Sequence, residues 1–355
     1  MNFENGQSLT SYRKTQILKM ASDAYNVTPY HLSAINPSAT YLSELYEALD
    51  PAERLQTDLY GRSVAFFAAA SETSACLEFL ESKAFNFSLV DKYKMSPLMQ
   101  AARFGRSHNV EILIKHLRGG PEVTETSPFV FQTLVRNRRT ALHYAAFFGH
   151  AETCRVLIKH NAPVECIENL DKQTPLLYAA KNGNTECVRV LIEEGKANPE
   201  KGDKFSRTAL HYACMNGHTE VAKYLLSQGV NSNSYDSSHN APIHFAAAFG
   251  YIKIVHLLIE YGSTDPSACN VWRSTPCSVA NMKGHIGIVK YLLELSHTSI
   301  DVNFKDQDGC IMLQNCLNES VATPLEKKTN IEKITLLLAM KADINSINLE
   351  GIDLH

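Results

Sequence analysis

The chain has 355 residues, of which 45% are apolar and 20% charged, a balance that permits a buried core in a water-soluble protein. A formal net charge of −3 gives no indication of a polyanionic partner or a membrane surface. Nine cysteines without paired spacing argue against a secreted disulfide framework, and the start lacks a secretory signal. The longest apolar run, VAFFAAA, is far shorter than the ~18 residues of a membrane span. We expect a cytoplasmic or nuclear protein.

Residues 1–56 open the chain with a helical pattern. Their TPYH segment, Thr28–His31, imitates a motif that recurs further along, and NPSATYLSELYEALD follows it with helical spacing. We interpret residues 1–56 as a helical N-terminal cap or a degenerate repeat.

A segment of the type TPLHYAA recurs from residue 57 onward, at intervals of 33, 44, 34, 34, 33 and 34 residues. Its copies start at Ser63, Ser96, Thr140, Thr174, Thr208, Ala241 and Thr275. The long interval contains an extra segment, RGGPEVTETSPFVFQTLV. We therefore predict two repeats over 57–117, an inserted loop at 118–135 and five repeats over 136–305.

Each repeat is predicted to hold two helices. Thr is a natural N-cap and Pro suits the first helical position of the TPLHYAA segment, while a Gly such as Gly149 or Gly217 ends that helix. Apolar residues then recur at i, i+3, i+4 and i+7, as in CRVLIKH and CVRVLIEEG, which predicts a second, amphipathic helix.

The C-terminal part is less regular. Residues 306–347 form a divergent repeat in which the insert ESVATPLEKKTN delays the second helix, KITLLLAMKADIN. Residues 348–355 start a further, truncated repeat. Because a solenoid that stops inside a repeat exposes an apolar face, we expect the chain to be a fragment of a longer protein.

The repeated pattern over about residues 57–345 resembles the ankyrin-repeat family, most clearly in TPLLYAAKNGNTECVRVLIEEGKANP (Thr174–Pro199). The resemblance implies an all-α solenoid in which each repeat has two antiparallel helices and a hairpin loop. It also implies that the motif histidine bridges backbone groups and ties repeats together, which accounts for His31, His143, His211 and His244 without any chemistry.

Catalytic and metal-binding patterns are missing from the sequence. There is no phosphate-binding glycine loop, no GxSxG and no HExxH, and the nearest cysteine and histidine spacings do not make a four-ligand zinc site. Cys76, Cys154 and Cys187 fall on apolar helix faces, so we predict that they are packing residues. The sequence thus predicts no enzyme, cofactor, metal or small-molecule substrate.

Two sets of positions remain available for binding. The residues just before the glycine include large apolar side chains at Phe104, Phe147, Phe148, Met215, Phe249 and Met282. Either these side chains form an exposed interface, or they fold down against neighbouring repeats. The hairpin tips hold the single tryptophan and several arginines, namely Trp272, Arg136, Arg138 and Arg139. For the ring ladder Tyr144, Tyr178, Tyr212 and Phe245 we expect packing between helices.

These residues predict a non-catalytic protein-interaction module, a scaffold or adaptor. It would bind a loop or an extended peptide in a concave groove and at the hairpin tips. The basic tips suggest an acidic or phosphorylated partner. Nucleic acid is not expected, because the sequence lacks the sustained basic stripe that nucleic-acid binding requires. The alternative is the cytosolic ankyrin array of a larger membrane channel, ubiquitin ligase or kinase, with the chemistry beyond His355.

Overall fold

The computed structural model describes residues 24–118, 138–295, 300–318 and 323–346. Within these ranges the secondary structure consists of eighteen α-helices, one short 3-10 helix (Glu53–Leu55) and turns. The helices are α1 (Pro29–Ser33), α2 (Thr40–Ala48), α3 (Val64–Ala70), α4 (Ala75–Ser82), α5 (Pro97–Arg103), α6 (Ser107–Arg118), α7 (Ala141–Phe148), α8 (Ala151–Lys159), α9 (Pro175–Lys181), α10 (Thr185–Glu193), α11 (Ala209–Asn216), α12 (Thr219–Ser227), α13 (Pro242–Ala248), α14 (Ile252–Gly262), α15 (Pro276–Met282), α16 (Ile286–Leu293), α17 (Met312–Asn318) and α18 (Pro324–Ala339). Apart from Arg118, the predicted inserted loop lies outside the described residues, as do Arg136 and residues 348–355.

The chain forms two compact units, residues 1–175 with 189–197 and residues 176–188 with 198–355. In the first unit α1, α3, α5 and α7 pack side by side, and each contacts the helix that follows it. In the second unit α11, α13, α15 and α17 do the same. This consecutive packing of helix pairs confirms the predicted all-α, ankyrin-type solenoid architecture.

Small residues allow the first helices to approach each other. Ala145, Ala146, Ala213 and Ala247 are each fully buried. Cys76, Cys154 and Cys187 are buried as well, which confirms their packing role. The core of each unit is therefore built from the residues that the repeats share.

Where a repeat carries the motif histidine, this residue joins two successive turns, as expected. The backbone N–H of Thr140 donates to Nδ1 of His143 over 3.1 Å, and Nε2 donates to the carbonyl of Gln173 over 3.1 Å. Equivalent Nε2 bonds from His31, His211 and His244 reach the carbonyls of Gln56, Asn240 and Ser274. The histidines after the glycines also bond across repeats, and His150 Nε2 donates to the carbonyl of Arg103 over 3.0 Å.

Residues 24–56 contain the helices α1 and α2, which contact each other. The N–H of Thr28 donates to Nδ1 of His31 over 3.2 Å, and Thr28 caps α1 with the same capping box that Thr140 makes on α7. The motif in this segment therefore has the same local structure as the regular repeats.

One prediction at the C-terminal end is wrong. The insert does not delay the second helix to Lys333, because α18 already begins at Pro324, within the segment PLEKKTN, and runs to Ala339. Thr323 caps this helix: its hydroxyl accepts from the N–H of Glu326 over 3.2 Å, and the Glu326 carboxylate accepts from the N–H of Thr323 over 2.9 Å. With Pro324 at the first position, this capping box starts the helix nine residues before Lys333, where the predicted second helix begins.

Candidate functional site: a phenylalanine cluster and a tryptophan pocket

Three of the predicted phenylalanines lie together on the first unit. The rings of Phe147 and Phe148, at the end of α7, meet edge to face with centroids 4.9 Å apart. The guanidinium of Arg103 lies 5.6 Å from the centre of Phe148 and 5.9 Å from that of Phe104. We call Arg103, Phe104, Phe147 and Phe148 the Phe cluster.

The Phe cluster is exposed rather than folded down against its neighbours. The side chains of Phe104, Phe147 and Phe148 expose 44%, 37% and 44% of their surface. Cross-repeat contacts hold the cluster in place, since the carbonyl of Arg103 accepts from His150 and the His150 ring stacks near Phe148. Three exposed rings, two of them beside the Arg103 guanidinium, provide a preformed surface of the kind enriched in protein interfaces.

The equivalent positions of the second unit are also available. Phe249 and Met282 expose 53% and 47% of their surface, whereas Met215 is half-buried. Of the predicted ring ladder, Tyr178 and Tyr212 are buried as expected, and Tyr144 and Phe245 are half-buried. The rings of the ladder are therefore buried or half-buried between helices, whereas the residues before the glycines are in contact with solvent.

Trp272 and Met282 line a cavity of about 380 Å³ in the second unit, which we call the Trp272 pocket. Phe245, Ala248 and Val279 complete its apolar walls. Its polar rim comes from successive hairpin tips and includes Asn270, Asp306, Gln307 and Asp308. Sequence reasoning named Trp272 and Met282 separately but missed that they face the same space.

Backbone hydrogen bonds fix the tips that carry the pocket. The side-chain oxygen of Asn270 accepts from the N–H groups of Trp272 and Ser274 over 3.0 and 2.9 Å. The carbonyl of Trp272 then accepts from the N–H of Gln307 over 3.2 Å, which fastens the next tip beside it. Because both tips are held by their own turns, the Trp272 pocket is largely preformed.

The predicted tip arginines have different surroundings. Arg138 is exposed with a positive φ of 55°, and Arg139 is half-buried. Arg136 lies outside the described residues. The tips are further organised by acidic residues that the prediction passed over: Asp203, for example, accepts the N–H groups of Phe205 and Arg207 over 2.8 and 2.9 Å. An Asp five residues before the first motif residue, as in Asp58, Asp91, Asp203 and Asp236, is the signal that could have revealed these turns.

A second feature missed in the sequence is a tyrosine ladder on the tips of the first unit. The rings of Tyr25 and Tyr60 are stacked with centroids 6.0 Å apart, and Tyr93 follows at 6.3 Å from Tyr60. The N–H of Lys92 donates to the carbonyl of Tyr60 over 2.8 Å and so sets the spacing. The sequence pattern did not reveal the ladder, because Tyr25 and Tyr60 lie in segments that match the repeat poorly.

The buried titratable groups have structural surroundings. Burial lowers the pKa of His143 and His211 to about 4, although hydrogen bonds to the carbonyls of Gln173 and Asn240 favour the charged form. Burial raises the pKa of the Cys76 thiol to about 11 and that of Cys277 to about 12. These groups are neutral at pH 7, as packing residues should be.

No three His, Cys, Asp or Glu side chains in the part of the chain that the structure describes are grouped so that they could hold a metal ion. Among the same residues, no helix has both the length and the apolar character needed to cross a bilayer.

The repeats match a known protein family. Residues 125–203 and 195–268 match the family model described as ankyrin repeats (3 copies). The chain contains ankyrin repeats. Ankyrin repeats are non-catalytic protein-interaction modules. Phe147 and Phe148 of the Phe cluster lie within the matched residues, whereas Trp272 and Met282 of the pocket follow them in the sequence.

Three relatives match parts of the chain. A stretch of 117 residues, 33% of the chain, is 38% identical to poly [ADP-ribose] polymerase tankyrase of Caenorhabditis elegans, of which it covers 5%. A stretch of 125 residues, 35% of the chain, is 34% identical to a protein named as an E3 ubiquitin-protein ligase in Plasmodium falciparum (isolate 3D7), of which it covers 1%. A stretch of 67 residues, 19% of the chain, is 34% identical to 26S proteasome non-ATPase regulatory subunit 10 of Dictyostelium discoideum, of which it covers 29%. The chain thus spans only a small part of each of these relatives.

Proposed function

We propose that this chain is a recognition module that binds loops or extended segments of other proteins, in the manner of a scaffold or adaptor. The observation that carries the proposal is the exposure of the Phe cluster, whose three rings occupy the positions that the fold leaves free. Held by hydrogen bonds between repeats, such a surface loses little conformational entropy when a partner binds.

The binding surface in this proposal includes the hairpin tips and a groove formed by the ends of the first helices. An acidic or phosphorylated segment fits the exposed Arg138 with Arg139 and Arg136 beside it in sequence. A cytoplasmic or nuclear location is part of the same proposal, and it is supported by the odd number of cysteines without paired spacing.

The test is affinity capture from a lysate with the purified chain as bait. Wild type, Phe148→Ser and Trp272→Ala are compared with Leu32→Ser, which removes another exposed apolar side chain of the first unit. We expect captured proteins to be lost with Phe148→Ser or Trp272→Ala and retained with Leu32→Ser. If both variants fold, by circular dichroism, and capture every partner of the wild type, the proposed surfaces are wrong.

A second proposal concerns the larger protein. We infer that the repeats serve as the recognition or assembly part of a multidomain enzyme or a membrane channel. Support comes from the relatives named as a poly [ADP-ribose] polymerase and an E3 ubiquitin-protein ligase, of which the chain covers 5% and 1%. Sequencing the transcript past codon 355 tests the idea. A catalytic signature or apolar spans would support it, and a stop codon directly after His355 would contradict it.

A further inference from the structure

The Trp272 pocket differs in charge from the basic tips that the sequence emphasised. Two aspartates, Asp306 and Asp308, lie on its rim, and no lysine or arginine is among the described residues that line it. Arg273, which follows Trp272 in the sequence, has its guanidinium 5.3 Å from the centre of the Phe304 ring. The mouth of the pocket is therefore negative, whereas its interior is apolar.

The two aspartates have different roles. One oxygen of Asp306 accepts the N–H groups of Asp308 and Cys310 over 3.0 and 2.9 Å, and the other accepts from the Asn315 amide over 3.0 Å. Asp306 is thus occupied by its own turn. The exposed carboxylate of Asp308 has no hydrogen-bond or ion-pair partner among the described residues. The Asp308 carboxylate is therefore the group at the rim that can pair with a basic side chain of a partner.

The volume of the pocket sets the size of its occupant. A cavity of about 150 Å³ is sufficient to hold benzene, and the Trp272 pocket measures about 380 Å³. It therefore has room for one large side chain together with part of the backbone that carries it. The walls offered by Phe245, Val279 and Met282 favour an apolar group, and Trp272 offers a ring face or edge for stacking.

We propose that the Trp272 pocket is an anchor site for a partner segment in which an aromatic or large aliphatic residue is followed or preceded by a basic one. The apolar side chain enters between Trp272 and Met282, and the basic side chain pairs with Asp308 at the rim. This proposal rests on the proposed function as a recognition module, and it specifies the chemistry of the segment that the second unit selects.

The probe is a random peptide library displayed on phage and selected against the immobilised full chain. Selections use wild type, Trp272→Ala, Asp308→Lys and the control Tyr261→Ala, which alters a side chain that is 73% exposed and outside the pocket. The most enriched peptide is then synthesised and its affinity measured for each variant, at 0.05 M and 0.5 M NaCl.

We expect wild type and Tyr261→Ala to enrich peptides with an aromatic or large aliphatic residue beside Lys or Arg. Trp272→Ala should weaken the chosen peptide at least about tenfold, because a central aromatic residue contributes strongly to an interface. Asp308→Lys should weaken it up to about fivefold at 0.05 M NaCl, because one exposed ion pair contributes little, and should reverse its salt dependence, because the attraction becomes a repulsion. Selection on Asp308→Lys should shift the neighbouring residue to Asp or Glu.

Three results would overturn the proposal. Enriched peptides whose affinity is the same for Trp272→Ala as for wild type bind elsewhere, which refutes the pocket but leaves the recognition module standing. A wild-type consensus with acidic residues beside the anchor refutes the role of Asp308. If no peptide is enriched on any variant, both the pocket and the proposed function fail.

Discussion

Gly217 offers a quantitative test of how neighbouring repeats are packed. It ends α11 with a φ of +78°, and its N–H donates to the carbonyl of Ala213. A Cβ atom added at Gly217 would lie 2.6 Å from Cε1 and 2.7 Å from Cζ of Tyr251, which follows the glycine of the next repeat. Gly229 has nearly the same φ, +75°, but a Cβ atom there would meet nothing within 4 Å. The two glycines therefore separate backbone strain from overpacking.

The expected magnitudes follow from that difference. Gly229→Ala should lower the free energy of unfolding by about 1–2 kcal/mol, the strain of an L residue in the left-handed region. Gly217→Ala has the same strain and, in addition, forces the Tyr251 ring out of place, which costs about 1–3 kcal/mol more. The total approaches the lower end of the ~5–15 kcal/mol that typically stabilises a folded domain.

Urea denaturation of the purified chain, followed by circular dichroism, measures both losses. Introducing Gly217→Ala into a Tyr251→Ala background should reduce its penalty to that of Gly229→Ala, because the ring that the new methyl group meets has gone. If Gly217→Ala and Gly229→Ala shift the unfolding midpoint equally in the wild-type background, the contact between Gly217 and Tyr251 does not contribute to stability.

The remaining predictions concern the histidines and the last helix. Because the pKa of His143 and of His211 is about 4 in the fold and about 6.5 when unfolded, their contribution to stability is present above pH 6.5 and is lost as the pH falls toward 4. Each of the two histidines should lower the free energy of unfolding at pH 5.5 by about 1.4 kcal/mol relative to pH 7.5, as measured by urea titration. His211→Gln should keep the bridging hydrogen bonds and make the unfolding free energy less dependent on pH; an unchanged pH profile would contradict this role. Thr323→Ala should destabilise α18 by about 1 kcal/mol, seen as faster amide exchange in its first turn, whereas exchange in α16 should not change.

The hydrogen bonds of the repeat were predictable because they recur with the period of the sequence. The bond from His143 to Gln173 spans 30 residues, and that from His211 to Asn240 spans 29. A search for the motif histidine misses a repeat, however, when another residue type makes the same bridging hydrogen bonds. Gln314 accepts the N–H of Ile311 over 2.9 Å and donates to the carbonyl of Ser346 over 2.8 Å, and so replaces the motif histidine.

The Trp272 pocket could not be predicted in the same way. Its lining comes from three successive repeats, and residues such as Val279, Gln307 and Asp308 show no feature in the sequence that distinguishes them from other helix and turn residues. A cavity depends on which side chains leave space unfilled between neighbouring turns, and the repeat pattern describes only the positions that are filled. The repeat pattern likewise does not show whether Phe147 and Phe148 are exposed or packed against neighbouring repeats, so the sequence left both possibilities open.

The two nearly identical segments of the chain show where binding specificity can arise. In RTALHYAAFFGH the residues Ala146, Phe147 and Phe148 stand where RTALHYACMNGH has Cys214, Met215 and Asn216. The first residue of each triplet is fully buried, although one is Ala and the other Cys, so that difference alters only packing. The next two residues of each triplet reach solvent to different extents, and their chemistry differs between the copies. Partner selection by this chain should therefore depend on the two positions before each glycine and on the hairpin tips, since changes there alter the exposed surface without disturbing the hydrogen bonds that stack the repeats.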